Sequence, residues 1–175
     1  MGIEFAILDA IQTIRFAMLD KLMVVITTLG NGGAVWIAIG LIMLFFKKYR
    51  RAGVALLLGL LLGLVCGNLV IKNLVARVRP CAINTTVKLL IPFPSEYSFP
   101  SGHTLSSFIG ATCIFVREKR LGIPAYVLAS LIAFSRLYLY VHFPTDIIGG
   151  ILLGLALAYI AVKTMNKPRW GWLGD

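Results

Sequence analysis

Long apolar blocks alternate with short polar clusters along the whole chain. A helix that crosses a bilayer needs about 20 largely apolar residues, and somewhat fewer when its flanking side chains snorkel. Residues 52–71, 123–140 and 145–162 come near that length, and 33–46 is short. Residues 104–116 approach it when 100–103 extend their start. The N-terminal part reads differently: 3–16 is amphipathic, and 22–29 is too short to span alone. These residues either lie along the interface or form a sixth, partly inserted helix. "GNGG" at 30–33 reads as a turn. The pattern predicts an all-α fold, a polytopic membrane helix bundle of about six helices. A single domain over 1–175 is expected, with 1–30 as the interfacial or partly inserted part.

Composition agrees with that pattern. Of the 175 residues, 59% are hydrophobic and 14% charged, with a mean hydropathy of +0.89. A soluble domain carries about 25% charged residues, so this is the composition of an integral membrane protein. The formal net charge of +10 would suggest nucleic acid in a soluble chain. Here the cations sit in clusters between apolar blocks, which reads as membrane topology, and no nucleic-acid partner is expected. Cys66, Cys81 and Cys113 form no CxxC pair and are expected as small buried hydrophobes. Glu4, Asp9, Arg15 and Asp20 interrupt the first block, so no cleaved signal peptide is expected.

Charge also orients the bundle. "KKYRR" (47–51), "REKR" (117–120) and Lys163, Lys167 and Arg169 hold ten of the 17 basic residues. Counting spans puts all three clusters at one end, which the positive-inside rule assigns to the cytoplasm. The opposite, extracytoplasmic end receives residues 72–100 and 141–144. Gly59, Gly63 and Gly67, and again Gly150 and Gly154, recur at helical spacing and predict close helix contacts in lipid.

Unusual residues gather at the end without the basic clusters. Lys72 and Arg79 are seven apart, so a continuing helix would point both the same way before Pro80 ends or bends it. Pro100, Ser101, Gly102 and His103 fit a helix start, with proline at the first helical position. Free N–H groups and the helix dipole attract an anion there. Gly102 admits close approach to the backbone, and His103 adds a donor that can give up a proton. Arg136 lies near the outer end of an apolar block, where a charge is costly and tends to be functional. His142 and Asp146 are four apart, which lets a carboxylate hold one imidazole nitrogen and leave the other nucleophilic.

Each piece alone has a plainer reading: snorkelling cations, a helix cap, a structural His–Asp bond. Together they suit a phosphate dianion. Lys72, Arg79 and Arg136 would neutralise it, while the N–H groups of Ser101, Gly102 and His103 would cradle it. No carboxylate cluster has metal-ligand spacing, so neither a metal nor another cofactor is expected.

Lys-x6-Arg-Pro at 72–80, Pro-Ser-Gly-His at 100–103 and Ser-Arg-x5-His-x3-Asp at 135–146 resemble known motifs. They are similar to the three signatures of the type 2 phosphatidic acid phosphatase superfamily. All three are complete and in order; outside 72–146 the likeness is only one of hydrophobic helices. The resemblance implies a six-helix membrane bundle that hydrolyses phosphate esters without metal. It implies that His142 attacks phosphorus with Asp146 orienting it. It further implies that His103 protonates the leaving oxygen and later helps activate water. Lys72, Arg79, Ser101, Gly102 and Arg136 would bind the phosphoryl oxygens.

The expected partners are the bilayer and a lipid phosphate held in it. That substrate is of the phosphatidate or phosphatidylglycerophosphate type, or an isoprenoid (undecaprenyl) diphosphate. A second reading is a non-enzymatic membrane protein that binds or moves anionic lipids. It uses the same cations but leaves a carboxylate-held second histidine without a task. "IPFPSEYSFP" at 91–100 reads as a lid or a connector.

Overall fold

The computed structural model describes residues 2–166, so Lys167 and Arg169 of the third basic cluster lie outside the described residues. Helix α1 (Gly2–Gln12) precedes α2 (Ala17–Leu29), a tight 3-10 turn at Asn31–Gly33, and α3 (Ala34–Leu44). Helix α4 (Arg50–Leu62) runs on through a π-helical stretch, Gly63–Ile71, into α5 (Lys72–Val75). Short α6 (Pro80–Ile83) and a connector lead to α7 (Gly102–Arg117), α8 (Lys119–Tyr138) and α9 (Pro144–Met165). The described residues contain helices and turns but no strand.

The run Lys47–Ile83, α8 and α9 are each long and apolar enough to cross a membrane. Ala17–Leu29 and Asn31–Leu44 pass that test as a pair bent by 44°. The all-helical membrane bundle expected from the apolar pattern is therefore what forms. The N-terminal residues form two helices. Helix α1 has 11 residues, about 16 Å at 1.5 Å each, too short for a bilayer core of about 30 Å. It packs instead on the end of the bundle that carries the 141–144 turn, where its Leu8 joins Tyr140, Val141 and Phe143 in a buried cluster. Helix α2 is long and apolar enough to cross only when taken together with Asn31–Leu44.

Packing follows membrane rules. Large apolar side chains stay exposed around the outside, Phe45 at 83% and Leu152 at 63%, where lipid tails would meet them. Inside, glycines let backbones close up. A Cβ on Gly59 or Gly63 would lie 2.7 or 2.8 Å from Ile109 of α7, and Gly67 faces Leu105 of the same helix. From the other side, a Cβ on Gly150 or Gly154 of α9 would lie 3.0 Å from the carbonyl oxygen of Ser101 or Leu105. The glycine spacing thus marks helix contacts, as expected. Helix α7 is clamped between two glycine faces, and its N-terminal tip is fixed by that clamp.

The two ends separate cleanly. Arg117 donates from Nε to the Lys48 carbonyl at 2.6 Å, and Lys48 pairs with Glu118 at 3.0 Å. The first two basic clusters therefore share one end, as the span count requires. At the other end Arg77 reaches across to Thr145 and Asp146 of α9. One local expectation fails there. The helix carrying Lys72 does not continue to Arg79, because Ala76 turns left-handed (φ 47°) and ends α5 at Val75. Pro80 then opens α6 rather than bending an existing helix, since its fixed φ and missing N–H suit a first position.

Candidate active site

The break at Ala76 does what a continuous helix was expected to do: it turns Lys72 and Arg79 into one cavity. That cavity holds about 620 Å³, and Lys72, Arg79, His103, Arg136 and His142 all line it. Lys72, Arg79 and Arg136 are only 6%, 6% and 4% exposed. Three buried like charges are costly unless paired, and their pairing is incomplete. Lys72 Nζ meets Glu96 Oε2 at 2.6 Å. Arg79 spends its donors on carbonyls: Nε on Glu96 at 2.6 Å, Nη1 on Val141 at 2.8 Å and Nη2 on Tyr97 at 3.2 Å. Arg136 donates to the hydroxyl of Thr27, while its Nε is buried without a partner. One exposed carboxylate against three cations leaves a site that favours an anion. The same carboxylate is held below the ordinary range by the Lys72 ammonium.

The Pro-rich segment contributes directly. Pro94, Ser95 and Glu96 line the cavity, and Ser98 N–H donates to the Arg77 carbonyl at 2.8 Å. It is tied down over the cations.

The helix tip differs in detail from its expected form. Helix α7 begins at Gly102 with Ser101 as its N-cap, two residues later than a helix opened by Pro100. Ser101 Oγ faces the Thr104 N–H at 3.4 Å, and the Ser101 N–H donates to the Asp146 carbonyl at 3.1 Å. The expected role of the Ser101 N–H on phosphate therefore meets a competing bond, and Ser101 ties α7 to α9. Gly102 and His103 line the cavity and carry first-turn N–H groups, which have no intrahelical acceptor. Asn68 of the π-helical stretch stands opposite: a Cβ on Gly102 would lie 2.9 Å from its Oδ1, which is buried without a partner.

His142 sits in the turn between α8 and α9. Its Nε2 is 3.1 Å from Arg79 Nη1. Guanidinium only donates, so Nε2 must carry the lone pair and Nδ1 the proton. Nδ1 faces Asp146 Oδ2 at 3.4 Å, a charge contact longer than a well-formed N–H···O bond. Burial pushes the imidazole well below the ordinary histidine range. Asp146 opposes this, while Arg79 and Arg136 reinforce it, so the ring is neutral. A neutral ring with its lone pair toward a cationic cavity is a competent nucleophile.

The contacts of three residues, Arg77, Asn31 and Glu96, were not foreseen. Arg77 Nη1 donates to Asp146 Oδ1 at 2.7 Å, its Nη2 to Glu4 Oε2 at 2.6 Å, and its guanidinium lies 4.0 Å over the Phe143 ring. With the Phe143 N–H on Oδ2 at 2.8 Å, both oxygens of the fully buried Asp146 are occupied. Asn31 Oδ1 stands 3.0 Å from His103 Nε2. Glu96 occupies Lys72. The only sequence signal for these was polarity at the outer end, with Arg77 a third cation in "KNLVARVRP".

Fold and site together define a class: a multi-pass membrane protein with a buried, cationic, two-histidine pocket at one end of its bundle. The model of the PAP2 superfamily matches residues 52–170, and the chain belongs to that superfamily. Among its relatives, the undecaprenyl-diphosphatase of Sulfolobus acidocaldarius is 34% identical over 93% of this chain and 79% of its own length. Phosphatidylglycerophosphatase B of Bacillus subtilis is 33% identical over 89% of this chain and 79% of its own. The crystal structure of a transmembrane PAP2-type phosphatidylglycerolphosphate phosphatase from Bacillus subtilis superposes with a TM-score of 0.77. It is 30% identical and covers 95% of this chain and 87% of that one. Aquifex aeolicus LpxE also superposes at 0.77, with 28% identity over 93% of this chain and 96% of its own.

Proposed function

We propose that this protein is a membrane lipid phosphatase that works at the extracytoplasmic face through a phosphohistidine. The observation that carries this reading is the Arg79–His142 contact, which leaves the Nε2 lone pair in a cavity rich in cations. Phosphate oxygens would take over the Arg79 donor, releasing Nε2 for attack. A bond forms from Nε2 to phosphorus as the bond from phosphorus to the leaving oxygen breaks. His103 gives its proton to that oxygen. Water then attacks phosphorus, its proton passes to His103, the P–N bond breaks, and inorganic phosphate leaves. Lys72, Arg79, Arg136 and the N–H groups of Gly102 and His103 would hold the negative oxygens throughout.

A lipid substrate fits the walls. Ile37 of α3 and Leu57, Leu60, Leu61 and Leu64 along α4 and its continuation line the same cavity, so a chain could lie between those helices. Undecaprenyl diphosphate and phosphatidylglycerophosphate both appear among the relatives' names. The leaving group separates them. A phosphate leaving from a diphosphate has a second pKa of about 6, whereas an alkoxide resembles water at about 15.7. Help from His103 therefore matters more for monoesters.

The extracytoplasmic assignment rests on the basic clusters 47–51 and 117–120 sharing the opposite end. Phosphate release from detergent-solubilised phosphatidate, phosphatidylglycerophosphate and undecaprenyl diphosphate, in EDTA, tests the whole reading. Hydrolysis of at least one is expected; lipid binding without turnover would contradict it.

A further inference from the structure

The "GNGG" turn between α2 and α3 meets His103 through Gly30 and Asn31. Gly30 abuts the ring itself: a Cβ there would lie 2.7 Å from His103 Cδ2. Gly32 and Gly33 take left-handed backbone (φ 58° and 70°), which kinks the chain between α2 and α3 at little cost only for glycine. At that kink lies Asn31, whose Oδ1 stands 3.0 Å from His103 Nε2. Gly30, Gly32 and Gly33 line the cavity, but Asn31 is not among its lining residues.

We propose that Asn31 is the positioning residue for the proton-donating imidazole, and that Gly30 beside it makes room for that ring. An amide oxygen accepts, so the nitrogen facing it carries the proton. Asn31 thereby keeps one proton on Nε2 and fixes the ring's rotation. Nδ1 is then the nitrogen that gives up a proton from the imidazolium formed beside the bound phosphate dianion, and that takes one back from water. The surrounding groups on other elements, Lys72, Arg79 and Arg136, can only donate, and none of them can do this. Asn31 touches neither phosphate nor leaving group in this arrangement; it acts through His103. This rests on the phosphatase reading above and deepens it.

The role predicts a difference between substrates. Losing a positioned proton slows expulsion of an alkoxide far more than expulsion of a phosphate. Asn31→Ala should lower kcat on phosphatidate about tenfold or more while leaving KM nearly unchanged. It should lower kcat on undecaprenyl diphosphate by less than about threefold, since a phosphate needs little acid help. Asn31→Asp keeps an acceptor of the same reach and should restore most of the phosphatidate rate. Gly30→Ala, which displaces the ring while leaving Asn31 in place, should reproduce the split. Asn31→Ser is too short to reach the ring and stands in if Asn31→Ala unfolds in detergent.

Equal losses on both substrates, no loss on either, or an Asn31→Asp variant as slow as Asn31→Ala would overturn the proposal. Wild-type protein and His103→Ala run alongside. Wild type inactive on every lipid phosphate sinks the functional reading itself. A split in His103→Ala that is absent from Asn31→Ala sinks only this inference.

Discussion

The belt of the bundle and its outer end are held together by different means. In the belt, α7 touches α4 and α9 through glycines, and the only described polar contact between α3 and α7 is Trp36 Nε1 to Ser107 Oγ at 3.0 Å. Stability there comes from shape, because lipid offers no hydrophobic drive between helices. At the outer end, charged side chains reach across elements: Glu4 to Arg77, Arg77 to Asp146, Arg79 to His142. The belt fixes where the helix tip stands, and the outer network fixes what each side chain presents. Shape and chemistry are thus separable by mutation.

The largest separation should come from His142→Ala. Removing the proposed nucleophile should cut hydrolysis on the order of 10⁴-fold while lipid binding to the cations survives. Phosphate-release assays paired with a lipid-binding titration check this. Arg77→Ala strikes the network itself. It strips one oxygen of the fully buried Asp146 of its partner, which should cost about 3 kcal/mol of stability and lower kcat as well. Arg77→Lys should recover part of the stability but little of the rate, since one ammonium cannot fork between Glu4 and Asp146. Thermal unfolding beside kinetics would show the two effects parting.

Gly110→Ala tests the belt. An added Cβ would run into the Trp36 ring, an overpacking that should cost about 1–3 kcal/mol. KM and kcat of the surviving folded fraction should stay near wild type. A changed substrate preference instead would blur the division.

The smallest effect concerns Glu96→Gln. Substrate phosphate must displace Glu96 from Lys72, and the carboxylate is 69% exposed, so KM should fall by less than about fivefold. Because Lys72 holds the Glu96 carboxyl below its usual range, the contact exists above the ordinary carboxylate pKa and is lost as pH falls through the depressed one. The KM difference between variant and wild type should therefore be full at neutral pH and vanish only in strong acid.

Legibility in the sequence followed the same division. Apolar blocks and glycine spacing are periodic along one helix, so the belt could be read directly. Lys72, Arg79, Gly102, His103, Arg136 and His142 could be read because each motif is local, and all of them line one cavity. Asp146 stands behind His142, as its four-residue spacing suggested. What escaped was non-local or a matter of backbone hand. Asn31 and His103 are 72 residues apart, and Arg77 and Asp146 are 69 apart, so no pattern in either neighbourhood announces the other. The left-handed turn at Ala76 has no glycine to mark it. The Ser101 N–H was assigned to phosphate because a cap looks open until its neighbour α9 is in place.

The account turns on His142 Nε2 forming a bond to phosphorus. Rapid quench of the protein with a hydrolysable lipid phosphate, followed by alkaline peptide mapping, reads this directly. Phosphate on the His142 peptide, acid-labile and formed within the first turnover, is the expected result. Turnover without that adduct, or phosphate on His103 instead, would contradict the mechanism.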